Sequence, residues 1–190
     1  MQLQNGLKFI SIGNVHMVPG LERELEPILA AMAKFRPYTE FPMVEEAFYF
    51  SHKAHDGQLR KSGEPYFMHP VAVARIVAEK GLDEVMVSAA LLHDIMEDTK
   101  TDRREILAKF GKDVYSLVGS LTKFGIAAFK SRQQQSNANI IHTILAASKD
   151  IRVLVIKLYD KLHNMRTLGF LDAEKRKRVA ADALTVYVPI

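Results

Sequence analysis

An all-α fold follows from two features of the chain beyond residue 42. Proline almost disappears, with Pro65 and Pro70 the only ones before Pro189, and the stretches between glycines carry apolar residues at helical spacing. A chain of 190 residues holds one domain, or one domain with a short appendage, and is long enough to bury a core without staples. The organisation expected is an extension over residues 1–42, of no assigned role, and a helical domain over residues 43–190.

Taken in order, the elements rest on local signals. Gly13, Pro19, Gly20, Pro27, Pro37 and Pro42 punctuate the first forty residues, which leave room for one helix near Leu21 to Phe35. Helices are then predicted over Val44 to His55, Pro70 to Glu79, Asp83 to Glu97, Asp102 to Phe110, Lys112 to Phe124, Asn137 to Ser148, Ile151 to Leu168 and Ala173 to Val186. Pro70 can occupy a first helical turn without losing a needed donor, and Asp83 is placed to cap the helix after it. The polar, Gln-rich stretch from Lys130 to Asn139 reads as a loop.

Composition narrows the function classes. Cysteine is absent, which rules out a disulfide framework, a thiolate metal site and a cysteine nucleophile, and suits a reducing cytosol. The longest apolar runs, such as Val85 to Leu92, fall far short of the ~20 residues a membrane span needs, and Leu7 to Ile12 lacks the flank and length of a signal peptide. The expectation is a soluble, cytoplasmic protein without a membrane partner. The formal charge of +4 leans toward anionic ligands in a general way. Its cations are dispersed apart from Lys175 to Arg178, which reads as a solvated helix face, so no nucleic-acid partner is expected.

Three segments place ionisable residues where a core is expected. In the helix from Ile151 to Leu168, one apolar stripe runs through Ile151, Leu154, Val155, Leu158, Leu162 and Met165 and reads as the core face. The opposite side runs from Val153 and Ile156 through Asp160, Asn164 and Thr167, so Asp160 points into a buried or half-buried place. A carboxylate there costs several kcal/mol unless it is paired or coordinated. On this helix alone, a salt bridge explains Asp160 as well as a cation does. The run from Val85 to Leu92 leaves almost no solvated face yet ends in His93, Asp94, Glu97 and Asp98. Adjacent imidazole and carboxylate suit a divalent cation of intermediate hardness, and the carboxylates one turn later can act on water instead of on the metal. The third segment, Arg60 to Pro70, is a loop from its glycine and prolines, and it delivers His69 to the start of a helix with a basic pair nearby. Taken alone, His69 reads as a surface or capping histidine, and Arg60 and Lys61 as solvated cations.

Together, His69, His93-Asp94 and Asp160 reproduce the H…HD…D order of the HD superfamily. Three longer words narrow the resemblance: Arg60-Lys61-Ser62-Gly63-Glu64-Pro65-Tyr66, His93-Asp94-Ile95-Met96-Glu97-Asp98-Thr99, and Asp160-Lys161-Leu162-His163-Asn164-Met165-Arg166-Thr167-Leu168. They resemble the hydrolase domain of the Rel/Spo alarmone enzymes, over roughly Met43 to Ile190. The resemblance implies an HD-type helical bundle of about eight or more helices holding one divalent metal, usually manganese, on His69, His93, Asp94 and Asp160. It implies that Glu97 and Asp98 are catalytic carboxylates and that Arg60, Lys61, Ser62, Asn164 and Thr167 line a nucleotide pocket. The implied reaction is stringent-response alarmone degradation, in which the 3′-pyrophosphate of ppGpp or pppGpp is hydrolysed to give GDP or GTP and pyrophosphate.

Departures from the family pattern lie outside those positions. Tyr159 stands where a small residue is usual, and Ala138 and Ile141 replace a usual Glu and Arg. Residues 174–189 resemble the helix that joins the hydrolase to the synthetase in bifunctional members, so the chain reads as an N-terminal half of such an enzyme or as a standalone hydrolase. The competing functions are an HD phosphohydrolase acting on another nucleotide and a regulatory domain that binds the alarmone without cleaving it. The pocket words argue against the first, and the presence of both Glu97 and Asp98 argues against the second.

Overall fold

The computed structural model describes residues 20–122 and 131–189, and it is helical throughout. Nine α-helices are formed among the described residues: α1 (Glu22–Ala33), α2 (Pro42–Ala54), α3 (Met68–Glu79), α4 (Glu84–Leu92), α5 (Ile95–Asp98), α6 (Arg103–Leu121), α7 (Arg132–Ala147), α8 (Ile151–Arg166) and α9 (Ala173–Asp182). A short 3-10 turn over Leu168–Phe170 and a π turn over Ala183–Tyr187 flank α9. Between α2 and α3 a tight loop is pinned by a single β-bridge joining Leu59 and Pro65.

The central element is α4. Every residue from Met86 to Leu92 is buried, as expected of a segment with no polar face, and the helix packs against α2, α3, α6 and α8. Asp83 caps it as predicted, its carboxylate accepting from the Met86 N–H at 2.9 Å. Pro70 falls in the first turn of α3, where no donor is needed. The core around α4 includes Phe48 from α2, Val73 and Val77 from α3, Ile106 and Leu117 from α6, and Ile156 from α8. Helix α1 packs on α3 and adds Leu25, Ile28 and Met32 to the same core.

Several boundaries differ from the expectation for local reasons. The helix predicted through Glu97 stops at Leu92, and Asp94 begins a separate short helix. The Ala90 carbonyl that would accept the Asp94 N–H in a continuous helix is taken by the His93 ring at 2.8 Å. The break predicted between Phe110 and Lys112 is present inside α6, where Gly111 sits at φ +75°, a region that glycine enters without a Cβ penalty. The end predicted at Phe124 lies outside the described residues. The Gln-rich stretch read as a loop is helical from Arg132 onward. Ser131 caps it by accepting from the Gln134 N–H at 3.2 Å, and glutamine is a good helix former.

The core face of α8 is not the predicted stripe. The buried residues are Val153, Ile156, Lys157 and Asp160, whereas Ile151 and Leu162 of the predicted stripe are exposed. Because the first half of the helix is apolar nearly all round, periodicity could not say which face meets α3, α4 and α6 and which is left to α7 and solvent. Among the departures, Tyr159 packs at the edge of the core, Ala138 is half-buried, and Ile141 is exposed on α7.

Candidate metal centre and adjoining pocket

The fold brings three buried side chains able to ligate a metal together from three places. The first turn of α3 supplies His69, the C-terminus of α4 supplies His93, and the middle of α8 supplies Asp160, with side-chain ligand atoms all within 4.8 Å of one another. His69 Nε2 lies 3.2 Å from Asp160 Oδ1. Asp94, next to His93, turns its Oδ2 toward the same centre, 3.2 Å from His93 Nε2 and 3.6 Å from His69 Nε2. All four predicted ligands are buried.

Hydrogen bonds set which atoms face the centre. A carbonyl only accepts, so His93 must donate its Nδ1–H to Ala90, and this directs Nε2 inward. His69 meets the His163 ring through their Nδ1 atoms at 2.8 Å, which leaves its Nε2 facing Asp160. Asp160 Oδ1 accepts from Asn164 Nδ2 at 2.6 Å. His93 Nε2 faces the centre and has no hydrogen-bond partner among the described residues, and neither has Asp160 Oδ2, which lies 3.8 Å from Lys161 Nζ while Oδ1 faces the two histidines.

The charges follow from this packing. Burial works against an ionised Asp160, but the His69 hydrogen bond and the Lys161, His93 and Lys157 charges hold its carboxyl well below the usual range. Burial likewise disfavours a charged His93, yet the Asp94 and Asp160 carboxylates outweigh it and push the imidazole up. For His69 burial dominates and lowers it. Burial, with the neighbouring His69 and Arg60 charges, drops His163 to about 4, so that it is a neutral imidazole at pH 7. A divalent ion fits this donor set. Imidazole nitrogens and carboxylate oxygens without thiolate match a cation of intermediate hardness, and such an ion would meet the orphaned His93 Nε2.

Beside the centre lies a cavity of about 330 Å³ lined by Arg60, Lys61, Ser62, Tyr66, Asn164 and Thr167 among others. All five predicted pocket residues are therefore gathered here. Asn164 joins pocket to centre, because its Nδ2 holds Asp160 while its Oδ1 accepts from Arg60 Nη2 at 3.2 Å. Arg60 is not the solvated cation that its loop implies in isolation; its side chain is 16% exposed and ion-paired to Glu64. Ser62 Oγ is buried without a partner among the described residues. Lys61 is more exposed and faces Asp172 at 3.9 Å. Of the basic run in α9, Arg176, Lys177 and Arg178 are exposed as expected, but Lys175 is half-buried and lines the cavity. Asp98 is exposed and is linked to the centre through Tyr66, while Glu97 is half-buried on the same turn and is not among the residues lining the cavity.

Tyr66 and His163 reach the centre without a role expected from the sequence. His163 was recoverable, since it lies three residues after Asp160 on a helix and shares that face. Tyr66 sits in an irregular loop, where no periodicity points to its partners.

A helical bundle whose buried histidines and aspartate converge on one centre is the arrangement of an HD domain. The family model described as "HD domain" matches residues 47–190, and the chain belongs to that family. More particularly, the chain is similar to the Rel/Spo proteins. It is 47% identical over 137 residues to a guanosine-3′,5′-bis(diphosphate) 3′-pyrophosphohydrolase of Haemophilus influenzae, covering 72% of this chain and 20% of that one. It is 42% identical over 156 residues to the bifunctional (p)ppGpp synthase/hydrolase SpoT of Escherichia coli K12, covering 82% of this chain and 22% of the relative. A GTP pyrophosphokinase of Myxococcus xanthus is 40% identical over 162 residues, covering 84% and 21%. The chain thus spans about a fifth of the length of the curated relatives it matches. A solved structure described as a metazoan ortholog of SpoT that hydrolyses ppGpp aligns with a TM-score of 0.68 and 29% identity, covering 78% of this chain and 85% of that one.

Proposed function

We propose that the unit from residue 43 to 190 hydrolyses the 3′-pyrophosphate of (p)ppGpp, releasing GDP or GTP and pyrophosphate, either alone or as the N-terminal half of a bifunctional synthetase/hydrolase. The observation that carries this reading is the juxtaposition of the buried His69, His93, Asp160 group with the Arg60–Asn164 pocket through one shared side chain. The Rel/Spo relatives, and the ppGpp hydrolysis named for the metazoan ortholog, support the substrate.

His69, His93, Asp94 and Asp160 would hold one manganese ion, a mixed imidazole and carboxylate set without thiolate suiting it better than a thiolate-preferring metal. When bound, the ion supplies Lewis acidity that activates water near neutral pH and offsets phosphoryl charge. Arg60 stacks on or pairs with the guanine end, Lys61 and Ser62 meet phosphate, and Asn164 and Thr167 orient the nucleoside. In the reaction, a water oxygen bonds to the proximal phosphorus of the 3′-pyrophosphate and the bond from that phosphorus to the ribose 3′ oxygen breaks. Glu97 and Asp98 take the proton from water and return one to the departing 3′ oxygen. The products are a free 3′ hydroxyl and pyrophosphate.

The test is to incubate the purified chain with ppGpp and manganese and to follow GDP and pyrophosphate. Stoichiometric release of both supports the proposal. Binding of ppGpp without turnover favours the regulatory reading, and turnover of a different nucleotide alone favours another HD phosphohydrolase.

A further inference from the structure

The Tyr66 hydroxyl stands between two carboxylates of different purpose. It lies 2.6 Å from Asp98 Oδ2 and 2.9 Å from Asp94 Oδ2. A phenol has one proton to donate, so only one of these contacts can be its donated hydrogen bond at any moment. Burial and the two neighbouring negative charges push its ionisation far up, and the group stays a neutral donor.

The ring is fixed independently of the hydroxyl. It stacks on His55 with centroids 4.9 Å apart, and the Tyr66 N–H donates to the Gln58 carbonyl at 2.8 Å. Gln58 in turn donates its Nε2 to the Asp98 backbone carbonyl at 2.7 Å, and the Asp98 N–H donates to the Asp94 carbonyl at 2.9 Å. The Asp98 main chain is therefore held from two sides. Its side chain is exposed, and among the described residues Tyr66 is the hydrogen-bond donor that the structure gives its carboxylate.

We propose that Tyr66 is a positioning residue that aims the Asp98 carboxylate at the metal group. The hydroxyl proton divides its time between Asp94 and Asp98. With Asp94 engaged in holding a cation it would be the poorer acceptor, and the Tyr66 hydroxyl would be left to Asp98, holding that carboxylate in place. The role rests on the hydrolase reading given above. Misplacing a reacting group by about 1 Å can lower turnover by on the order of 10²-fold.

The experiment is a double-mutant cycle of Tyr66→Phe and Asp98→Asn on the whole chain, reading kcat and KM for ppGpp, manganese affinity by calorimetry, and melting temperature. Phenylalanine keeps the stack on His55 and removes only the hydroxyl. Tyr66→Phe should lower kcat by roughly 10- to 100-fold with KM, manganese affinity and melting nearly unchanged, and should cost nothing further in an Asp98→Asn background. Unchanged kcat, additive losses in the double variant, or a loss of manganese affinity matching the loss of kcat would each overturn the role. A readout free of turnover keeps the two proposals apart: crystal structures of wild type and Tyr66→Phe should differ in the Asp98 carboxylate and in little else. A wild-type chain inactive on ppGpp sinks the substrate assignment alone, whereas an Asp98 carboxylate that stays put in Tyr66→Phe sinks the positioning role whatever the substrate.

Discussion

Loading the chain with manganese should raise its melting temperature by an amount that the centre itself sets. At the centre His93 Nε2 is buried without a hydrogen-bond partner among the described residues. Each such atom costs about 1–3 kcal/mol. An ion that binds the native state only, at one hundred times its dissociation constant, stabilises by about 2.7 kcal/mol, which falls within what relief of one such atom can supply. For a domain of this size each kcal/mol moves the midpoint by about 2–4 °C, so a rise of about 5–11 °C is expected. The assay is thermal unfolding with increasing manganese, repeated after chelation and in a His93→Ala, Asp160→Ala double variant. That variant retains only His69 and Asp94 and should show almost no rise. No rise in wild type at millimolar metal, or an equal rise in the double variant, would refute the ligand assignment.

Glu97→Gln should retain manganese while losing about 10²–10⁴-fold in turnover, as expected for a lost acid or base; full activity would remove Glu97 from the chemistry. Arg60→Ala should raise KM for ppGpp about tenfold or more and, because it deletes the bond to Asn164, also cost about 1 kcal/mol of stability; Arg60→Lys should recover part of the stability but little of the KM, and an unchanged KM in both would make the residue a structural tie only. Leu91→Ala, at a fully buried position of α4, should cost about 2–5 kcal/mol in denaturant unfolding, and a loss under 1 kcal/mol would contradict its burial. Gly81→Ala should cost roughly 1–2 kcal/mol, since the residue sits at φ +72° and a Cβ there would come within 2.9 Å of the Phe35 ring; unchanged melting would show that the turn relaxes.

How much of this was legible in the sequence depended on whether a signal was local. The cap at Asp83, the break at Gly111 and the buried run from Met86 to Leu92 are written in single residues or one unbroken pattern, and they were readable. The burial of Asp160 was readable because a carboxylate among apolar neighbours is conspicuous on either face of a helix. The choice of core face on α8 was not, because Ile151 and Leu162 are as apolar as Val153 and Ile156 and only packing partners distinguish them. The stop of α4 at Leu92 depends on a side chain competing for the Ala90 carbonyl, which spacing does not reveal. The link from Asn164 to both Arg60 and Asp160 joins distant parts of the chain, and the resemblance placed those residues together before any bond among them could be drawn.

The placement of the three clustered ligands at the head of α3, the foot of α4 and the middle of α8 has a consequence for the order of assembly. His69 and His93 lie in the first half of the chain, but the third member arrives only with Asp160. A nascent chain that has released α1 to α6 carries His69, His93 and Asp94 but not Asp160, so the chelate stays incomplete until α8 is made. Loop-closure entropy between α3 and α8 has to be overcome by apolar docking first. Full-strength metal capture is then expected late, and a fragment cut between α7 and α8, which keeps His69, His93 and Asp94 but loses Asp160, should bind manganese more weakly than the whole chain.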